Sequence, residues 1–400
     1  NTTARKSLRF LKNSYLAQVA TEVLEKGAAV PHFVTWRGGF GDPAVPGAAS
    51  LQRAVYFNPA EDELIENDAD AASEGPVSVS GSFTFAGVED AFFAAVFLPQ
   101  QGGSFEVRTL SDTAATPADP TTEAAYVGAA VGGGGRNSFG LFVGPKDLGL
   151  LRSIDPKLGE LVNFGKWFGF IAEPLFLALR WVNEHWVQNY GWAIILVTVI
   201  INFALLPLKF SSLKSMKKMQ SLQPQIAAIN EKYKNVGIRD PKKAEQNQEV
   251  MALYKKNGVN PMGGCMPMLL QVPFFIAFYT VLTVAIELRG ANWLWVGDLS
   301  QPEQIPIRIL PLAMIGTQFL LQKMTPTTSV DPAQQKVMLL MPLLMGFMFY
   351  GVSSGLVLYW LTGNVVGIAQ QWFFNKFTPA PAVVETAKPA PVQKKKTSRT

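Results

Sequence analysis

From Tyr190 onward the chain returns five times to apolar stretches, at about 190–208, 264–288, 306–322, 337–351 and 356–375. A helix of roughly 20 apolar residues crosses a hydrocarbon layer of about 30 Å, and it satisfies its own backbone donors and acceptors there. Repetition of such runs restricts the chain to a multi-span membrane protein. The third and fourth runs reach only about 15–17 residues and contain Pro311 and Pro342, short for a bilayer of ordinary thickness.

Charge divides along the same line. Residues 1–189 carry 14 Lys and Arg against 21 Asp and Glu, a net of −7, and residues 190–400 carry 21 against 9, a net of +12. Between the first two runs, 209–262 holds 11 basic and four acidic residues, and the chain ends in QKKKTSRT. The positive-inside rule puts 209–262 and the C-terminus on the cytoplasmic side and residues 1–189 on the outer side of the membrane. An odd number of spans agrees with that placement. No signal peptide is visible, so an exporting element is expected ahead of this sequence.

Residues 1–150 are expected to form a β domain, with the strand signals lying in 30–150. VSVSGSFTF (77–85) alternates, and DAFFAAVFLP (90–99) and SFGLFVG (138–144) read as buried strands. Turn clusters at 36–42, 99–104 and 131–136 separate them. The last, VGGGGR, lacks the Lys-Ser/Thr of a phosphate loop and reads as a hairpin turn. Residues 151–189, rich in Trp and Phe but interrupted by charge, read as an amphipathic helix lying in the membrane interface and bent at Pro174. Within 190–377, the segment 209–262 reads as a helical hairpin with stripes Leu222, Ile226, Ile229, Tyr233 and Val250, Leu253, Tyr254. Asp240 and Pro241 should open its second arm and Gly258 close it. The Pro/Ala/Lys-rich tail 378–400 is expected to be disordered.

Polar residues inside the apolar runs are the candidate functional groups, because each needs a partner or water. Thr198 and Asn202 share a face, and Lys209 follows seven residues later. Gln271, the i,i+4 pair Gln318 and Gln322, and Trp360, Asn364 and Gln371 on one face of the last run complete the set. Interhelical hydrogen bonding accounts for any one of them; together, toward the cytoplasmic ends, they suit the lining of a wetted cavity. All 12 methionines follow residue 215, and Met338, Met341, Met345 and Met348 fall at helical spacing. Their thioethers suit either lipid-facing packing or a surface accepting varied apolar segments.

Catalytic chemistry has no foothold. Carboxylates are missing from the span interiors, and His32, His185 and Cys265 are too few and too scattered for a triad or a metal cage. No enzyme activity and no cofactor is expected.

FVGPKD (142–147), NPMGGCMPMLLQVP (260–273), QKMTPTT (322–328) and SGLVLYW (354–360), in this order and spacing, resemble the motifs of the YidC membrane protein insertases over essentially the whole chain. The resemblance implies a mixed fold: a periplasmic β-supersandwich, an interfacial helix, and a five-span α-helical core with a cytoplasmic helical hairpin. It also implies further N-terminal residues, including a membrane anchor. The implied function is insertion and folding of nascent inner-membrane proteins through a hydrophilic groove open to cytosol and lipid, alone or with the Sec translocon. The hairpin itself reads either as a solvated connector or as a docking arm, its positive charge and that of the basic tail suiting ribosomes and targeting factors. The groove is assigned to Thr198, Asn202, Lys209, Gln271, Gln318, Gln322, Tyr359, Trp360 and Asn364. Alignment on LLPL (205–208) puts Asn202 where many members carry a groove arginine. An amide there keeps the site polar without charging it, and Lys209 supplies charge nearer the mouth. The competing class is a channel or transporter for a polar solute; a carbohydrate-binding module on a membrane anchor would not need five polar-lined spans.

Overall fold

The segment RNSFGLFVGP alternates exposed and buried positions at its start and buries both faces further on, the pattern of a strand that enters a core. It is the last strand, β12 (Arg136–Pro145), of an antiparallel sheet ordered β1-β2-β12-β9-β8-β5-β6. Its other members are β1 (Thr2–Phe10), β2 (Leu16–Glu25), β5 (Arg53–Asn58), β6 (Glu63–Asn67), β8 (Ala86–Glu89) and β9 (Phe93–Pro99), with the short β3 (Ala28–Ala29) on β2. A second sheet runs β4-β11-β10-β7, formed by β4 (Phe33–Trp36), β11 (Glu123–Gly132), β10 (Phe105–Ala115) and β7 (Ser78–Gly81). Val19, Tyr56, Phe97 and Phe139 of the first sheet share one buried cluster with Val34, Phe105, Val107 and Val131 of the second. Phe105 and Phe139 meet edge to face across the sheets, centroids 5.7 Å apart.

The computed structural model describes residues 1–38, 52–68, 77–99, 105–115, 123–234, 240–260, 266–325 and 332–378. Most of the turn clusters 36–42 and 99–104, the hairpin turn 235–239, Cys265 and the tail from 379 lie outside them. Two units emerge: Asn1–Glu173 with Thr280–Arg289, and Pro174–Tyr279 with Gly290–Thr400.

Two expectations for the β unit need correction. β1 and β2 lie before residue 30, where no strand was expected. The VGGGGR segment is no hairpin either: β11 and β12 pair in different sheets, so it carries the chain from one sheet to the other.

Lys146, just past β12, is the one buried lysine among the described residues of this unit. Its Nζ lies 3.0 Å from Glu89 Oε2 and donates to the Asp90 carbonyl at 3.0 Å, with side-chain exposures of 5% for Lys146 and 3% for Glu89. Burial pushes the Glu89 carboxyl above its ordinary range, and the Lys146 ammonium opposes that rise.

After β12 the chain forms α1 (Leu148–Ile154), capped by Asp147, whose Oδ1 accepts from the Leu150 N–H at 2.7 Å. The single interfacial helix expected over 151–189 is instead three pieces. A 3₁₀ turn (Pro156–Leu161) precedes α2 (Gly169–Val182), and a π turn (Asn183–Val187) ends it. Pro174 sits inside α2. Trp167, 85% exposed, and Phe170, Trp181 and Trp186 present aromatic surface along this stretch.

After α2, which straddles the boundary between the two units, comes α3 (Tyr190–Ala204), which Asn189 caps by accepting from the Gly191 and Trp192 N–H groups. α4 (Leu206–Ser221) and α5 (Gln223–Lys232) each carry a proline in the first turn, where the missing N–H costs nothing. Pro207 and Pro224 thus break what the sequence suggested was one span and one arm. α6 (Lys242–Lys256) follows, then α7 (Met266–Val284), α8 (Ile309–Met324), α9 (Pro332–Phe349) and α10 (Ser354–Phe377). Among the described residues no single helix is long and apolar enough to cross a membrane; the pair Gly169–Val187 and Tyr190–Ala204 would pass together but is bent by 114°.

The hairpin stripes do meet. Met219, Leu222, Ile226 and Val259 are buried against Val250, Leu253 and Tyr254. Lys232 and the Tyr233 hydroxyl both reach Glu249, at 2.6 and 3.0 Å, and lower its carboxyl pKa. The second arm starts one residue later than expected, with Pro241 at the cap, although Asp240 Oδ1 still accepts from the Lys242 N–H at 2.9 Å. Gly258, at φ 61°, closes it.

Candidate functional site

The polar residues singled out in the apolar runs gather along α10. On the α8 side, Trp360 Nε1 donates to Gln318 Oε1 at 3.2 Å. Asn364 Nδ2 donates to the Met314 carbonyl and to Thr317 Oγ1, both at 3.3 Å. Gln371 bonds Asn375, which donates to the Met324 carbonyl at 3.1 Å. Trp360 and Asn364 thus meet α8 directly, and Gln371 is linked to it through Asn375. On the α7 side, the Tyr359 hydroxyl bonds Gln271, and the Tyr359 ring stacks on Phe278 at 4.2 Å. Trp360 meets Phe275 edge to face at 4.9 Å.

On the α3 side, Thr198 Oγ1 donates to the Ile194 carbonyl at 2.6 Å and Asn202 Nδ2 to the Thr198 carbonyl at 2.9 Å. Gln370 Nε2 crosses from α10 to donate to the Asn202 carbonyl at 3.2 Å. Thr198 is 0% exposed and Asn202 9%, so in this structure the pair lies in a closed polar seam. A Cβ built on Gly367 would sit 3.5 Å from Lys209 Nζ, so the missing side chain there gives the ammonium its place beside α10. Gln318 and Gln322 are half-buried and Gln271 is exposed.

Sequence reasoning missed Gln370, Thr317 and Gly367. Gln370 neighbours the expected Gln371, and only the α3–α10 crossing distinguishes which glutamine faces which helix. Around this seam the helices turn apolar side chains outward: Ile200 and Phe203 on α3, Leu343, Leu344 and the 86% exposed Phe347 on α9. Met341 and Met348 are exposed as well.

At the other end of the bundle a loop bolts three helix N-termini together. Asn189 Nδ2 donates to the Asn292 carbonyl at 2.9 Å. The Leu310 N–H, in the first turn of α8, donates to buried Glu303 at 2.8 Å, and Trp295 Nε1 bonds the same carboxylate. Ser354 N and Oγ both donate to the Gln301 carbonyl at 2.8 Å. Trp293 lies over Gly191, where an added Cβ would fall 2.2 Å from the indole. Gly191→Ala should therefore cost about 1–3 kcal/mol through overpacking. Thermal unfolding in detergent would show the loss, and the same substitution made in a Trp293→Ala background should cost much less, because the clash is then absent. Equal unfolding of wild type and Gly191→Ala would disprove the seat.

Comparison with known proteins matches two family models to successive parts of the chain. Residues 1–178 match the model of the YidC periplasmic domain, and residues 181–381 match that of the 60Kd inner membrane protein family. The membrane protein insertase YidC of Geobacter sulfurreducens is 36% identical over 383 residues, covering 94% of this chain and 68% of the relative. The chain belongs to the YidC family. The insertase of Cupriavidus taiwanensis is 36% identical over 386 residues, with 93% and 65% covered, and that of Wolinella succinogenes 46% over 250, with 62% and 45% covered. The matched segments thus span from under half to about two thirds of the length of these three curated relatives. A solved active YidC insertase with its first transmembrane domain resolved covers 91% of this chain and 94% of its own, at 20% identity and a TM-score of 0.43.

Proposed function

We propose that this protein inserts and folds nascent inner-membrane proteins, with the seam along α10 as the closed form of its substrate groove. The observation that carries the reading is the inside-out bundle: amides and hydroxyls of Thr198, Asn202, Asn364 and Gln370 are buried, while leucines and phenylalanines of α3 and α9 face outward. That distribution suits a protein surrounded by lipid that must offer polar partners to a passing segment. Residues 1–150 form the periplasmic domain, 151–189 lie at the interface, and 190–377 supply the five spans, with 209–262 and the tail in the cytoplasm.

No catalytic group is required. A charged residue at mid-span costs about 2.5–3.5 kcal/mol, whereas each Leu or Phe gains about 0.3–0.6. An apolar substrate helix therefore enters lipid unaided, but its polar flank meets a barrier that a wet, amide-lined path shortens. The membrane potential contributes about 2.3 kcal/mol per charge per 100 mV. The basic hairpin meets the ribosome or a targeting factor, and the Sec translocon receives those substrates whose flanks are too polar.

Photoprobes at Gln271 and Gln318 tests the groove directly, with Tyr126 in the β unit as the control site. Stalled nascent chains of a single-span protein should crosslink at the first two and not at the third; the reverse pattern would refute the groove. Topology has its own measurement. A cysteine at Gln248, an exposed position of α6, in a Cys265→Ser background should resist impermeant thiol reagents in intact cells and react in inverted vesicles. Labelling from outside would overturn the orientation.

A further inference from the structure

At the end of the bundle where α10 stops, α4 and α10 leave a cleft of about 450 Å³ lined by Phe210, Ser211, Lys214, Phe373 and Phe377. Phe210 and Phe373 lie parallel, planes 2° apart and centroids 6.4 Å apart. Lys214 lines the cleft, and two further lysines lie over neighbouring rings at this end of α10. Lys217 bonds the carbonyl of Thr378, the C-cap of α10, and lies 4.7 Å from the Phe374 centroid. It therefore neutralises the negative end of that helix, which would otherwise repel an anion. Lys376 rides 4.9 Å above Trp372 and 5.8 Å from the Phe377 centroid. Lys214 faces the cleft with no hydrogen bond or ion pair among the described residues.

Neither of the two helices carries an acid to balance this charge. Residues 206–221 contain Lys209, Lys214, Lys217 and Lys218 and no carboxylate, and residues 354–378 contain Lys376 and none. Trp372, Phe373 and Phe377 stay exposed beside the lysines. Cations adjoining exposed aromatic rings at a helix end match a ligand with a phosphate at one end and hydrocarbon at the other. The chain's own residues 379–400 fit poorly, since they add five basic residues and one acidic.

We propose that this cleft holds one anionic phospholipid of the phosphatidylglycerol type, its phosphate on Lys214, Ser211 and Lys376 and its acyl chains along Phe373 and Phe377. The membrane setting rests on the function proposed above, but the binding does not require insertion activity, so each can fail alone. The test is native mass spectrometry of the full chain in detergent, titrated with dioleoylphosphatidylglycerol and, separately, dioleoylphosphatidylcholine. Wild type should retain the glycerol lipid at least tenfold more tightly. Lys214→Gln/Lys376→Gln should weaken it by about thirtyfold, or about 2 kcal/mol at about 1.4 kcal/mol per decade. The control Lys242→Gln/Lys255→Gln, with the same charge removed from α6, should bind as wild type does. Equal retention of the two lipids, or equal weakening in both variants, would overturn the site. So would full displacement by inorganic phosphate, which would leave the rings without a role, or by an acidic peptide, which would make the occupant a protein. A variant ending at Thr378 should bind unchanged; a large gain would identify the tail as the occupant and overturn the lipid.

Discussion

Replacing Lys146 with methionine is expected to destabilise the N-terminal unit by about 3–5 kcal/mol, the scale seen when one member of a buried ion pair is removed. Glu89 would be left in the core with only the opposing effect of its cation gone. The pH dependence follows from the direction of its shift. A carboxyl whose native pKa lies above its unfolded value binds its proton more tightly when folded. Its contribution is complete below the unfolded range, at about pH 4, and is lost as pH rises through the raised native value. Lys146→Met raises the native value further, so its damage should be mildest at about pH 4 and greatest near neutrality. Glu89→Gln/Lys146→Met should recover much of the loss, because no charge then remains to be buried. Urea midpoints at pH 4 and pH 7 measure all of this. Parallel losses at both pH values would mean that packing of the lysine stem, rather than charge, carries the effect.

Asn202→Arg should reduce folded protein sharply, by about 3–5 kcal/mol if the guanidinium is stranded in the seam between α3 and α10. Asn202 is nearly sealed there and its amide is committed to Thr198. Leucine at the same position loses only that intrahelical bond, so abundance should stay close to normal. Insertion is the discriminating readout: Asn202→Leu should impair substrates with charged translocated tails far more than substrates with short uncharged ones. Arginine tolerated at full abundance would show that the seam is open to water at rest. Leucine without any effect on charged tails would remove Asn202 from the groove.

How much of this was legible in the sequence depended on the range of the interactions. β9 and β12 announced themselves because apolar content and alternation are local properties, and the hairpin stripes at Leu222, Ile226 and Leu253 were visible for the same reason. β1 was not visible, because an edge strand exposed at all its positions has no buried face to print a pattern. The breaks at Leu205 and Leu222 were encoded by Pro207 and Pro224, but a proline in a first turn and a proline kinking a longer helix look alike until the capping geometry is seen. The site split in the same way. Helical spacing put Trp360 and Asn364 on one face, where both bond α8, since one helix face is a short-range matter. Glu89 with Lys146 and Asn202 with Gln370 are separated by scores of residues, and only tertiary packing pairs them.

The segment Thr280–Arg289 clusters with the β strands although it follows most of α7. Arg289 places its guanidinium 5.6 and 5.3 Å from the Phe92 and Phe93 ring centroids, at the turn that leads from Glu89 into β9. The N-terminal unit thus draws on two separate stretches of sequence, 1–173 and 280–289. A polypeptide ending at 178 would leave behind the ten residues that cover this aromatic turn. On the ribosome, the strands would be synthesised well over a hundred residues before the piece that completes them. The aromatic turn of the N-terminal unit therefore gains the Arg289 cation only once the end of α7 has been synthesised.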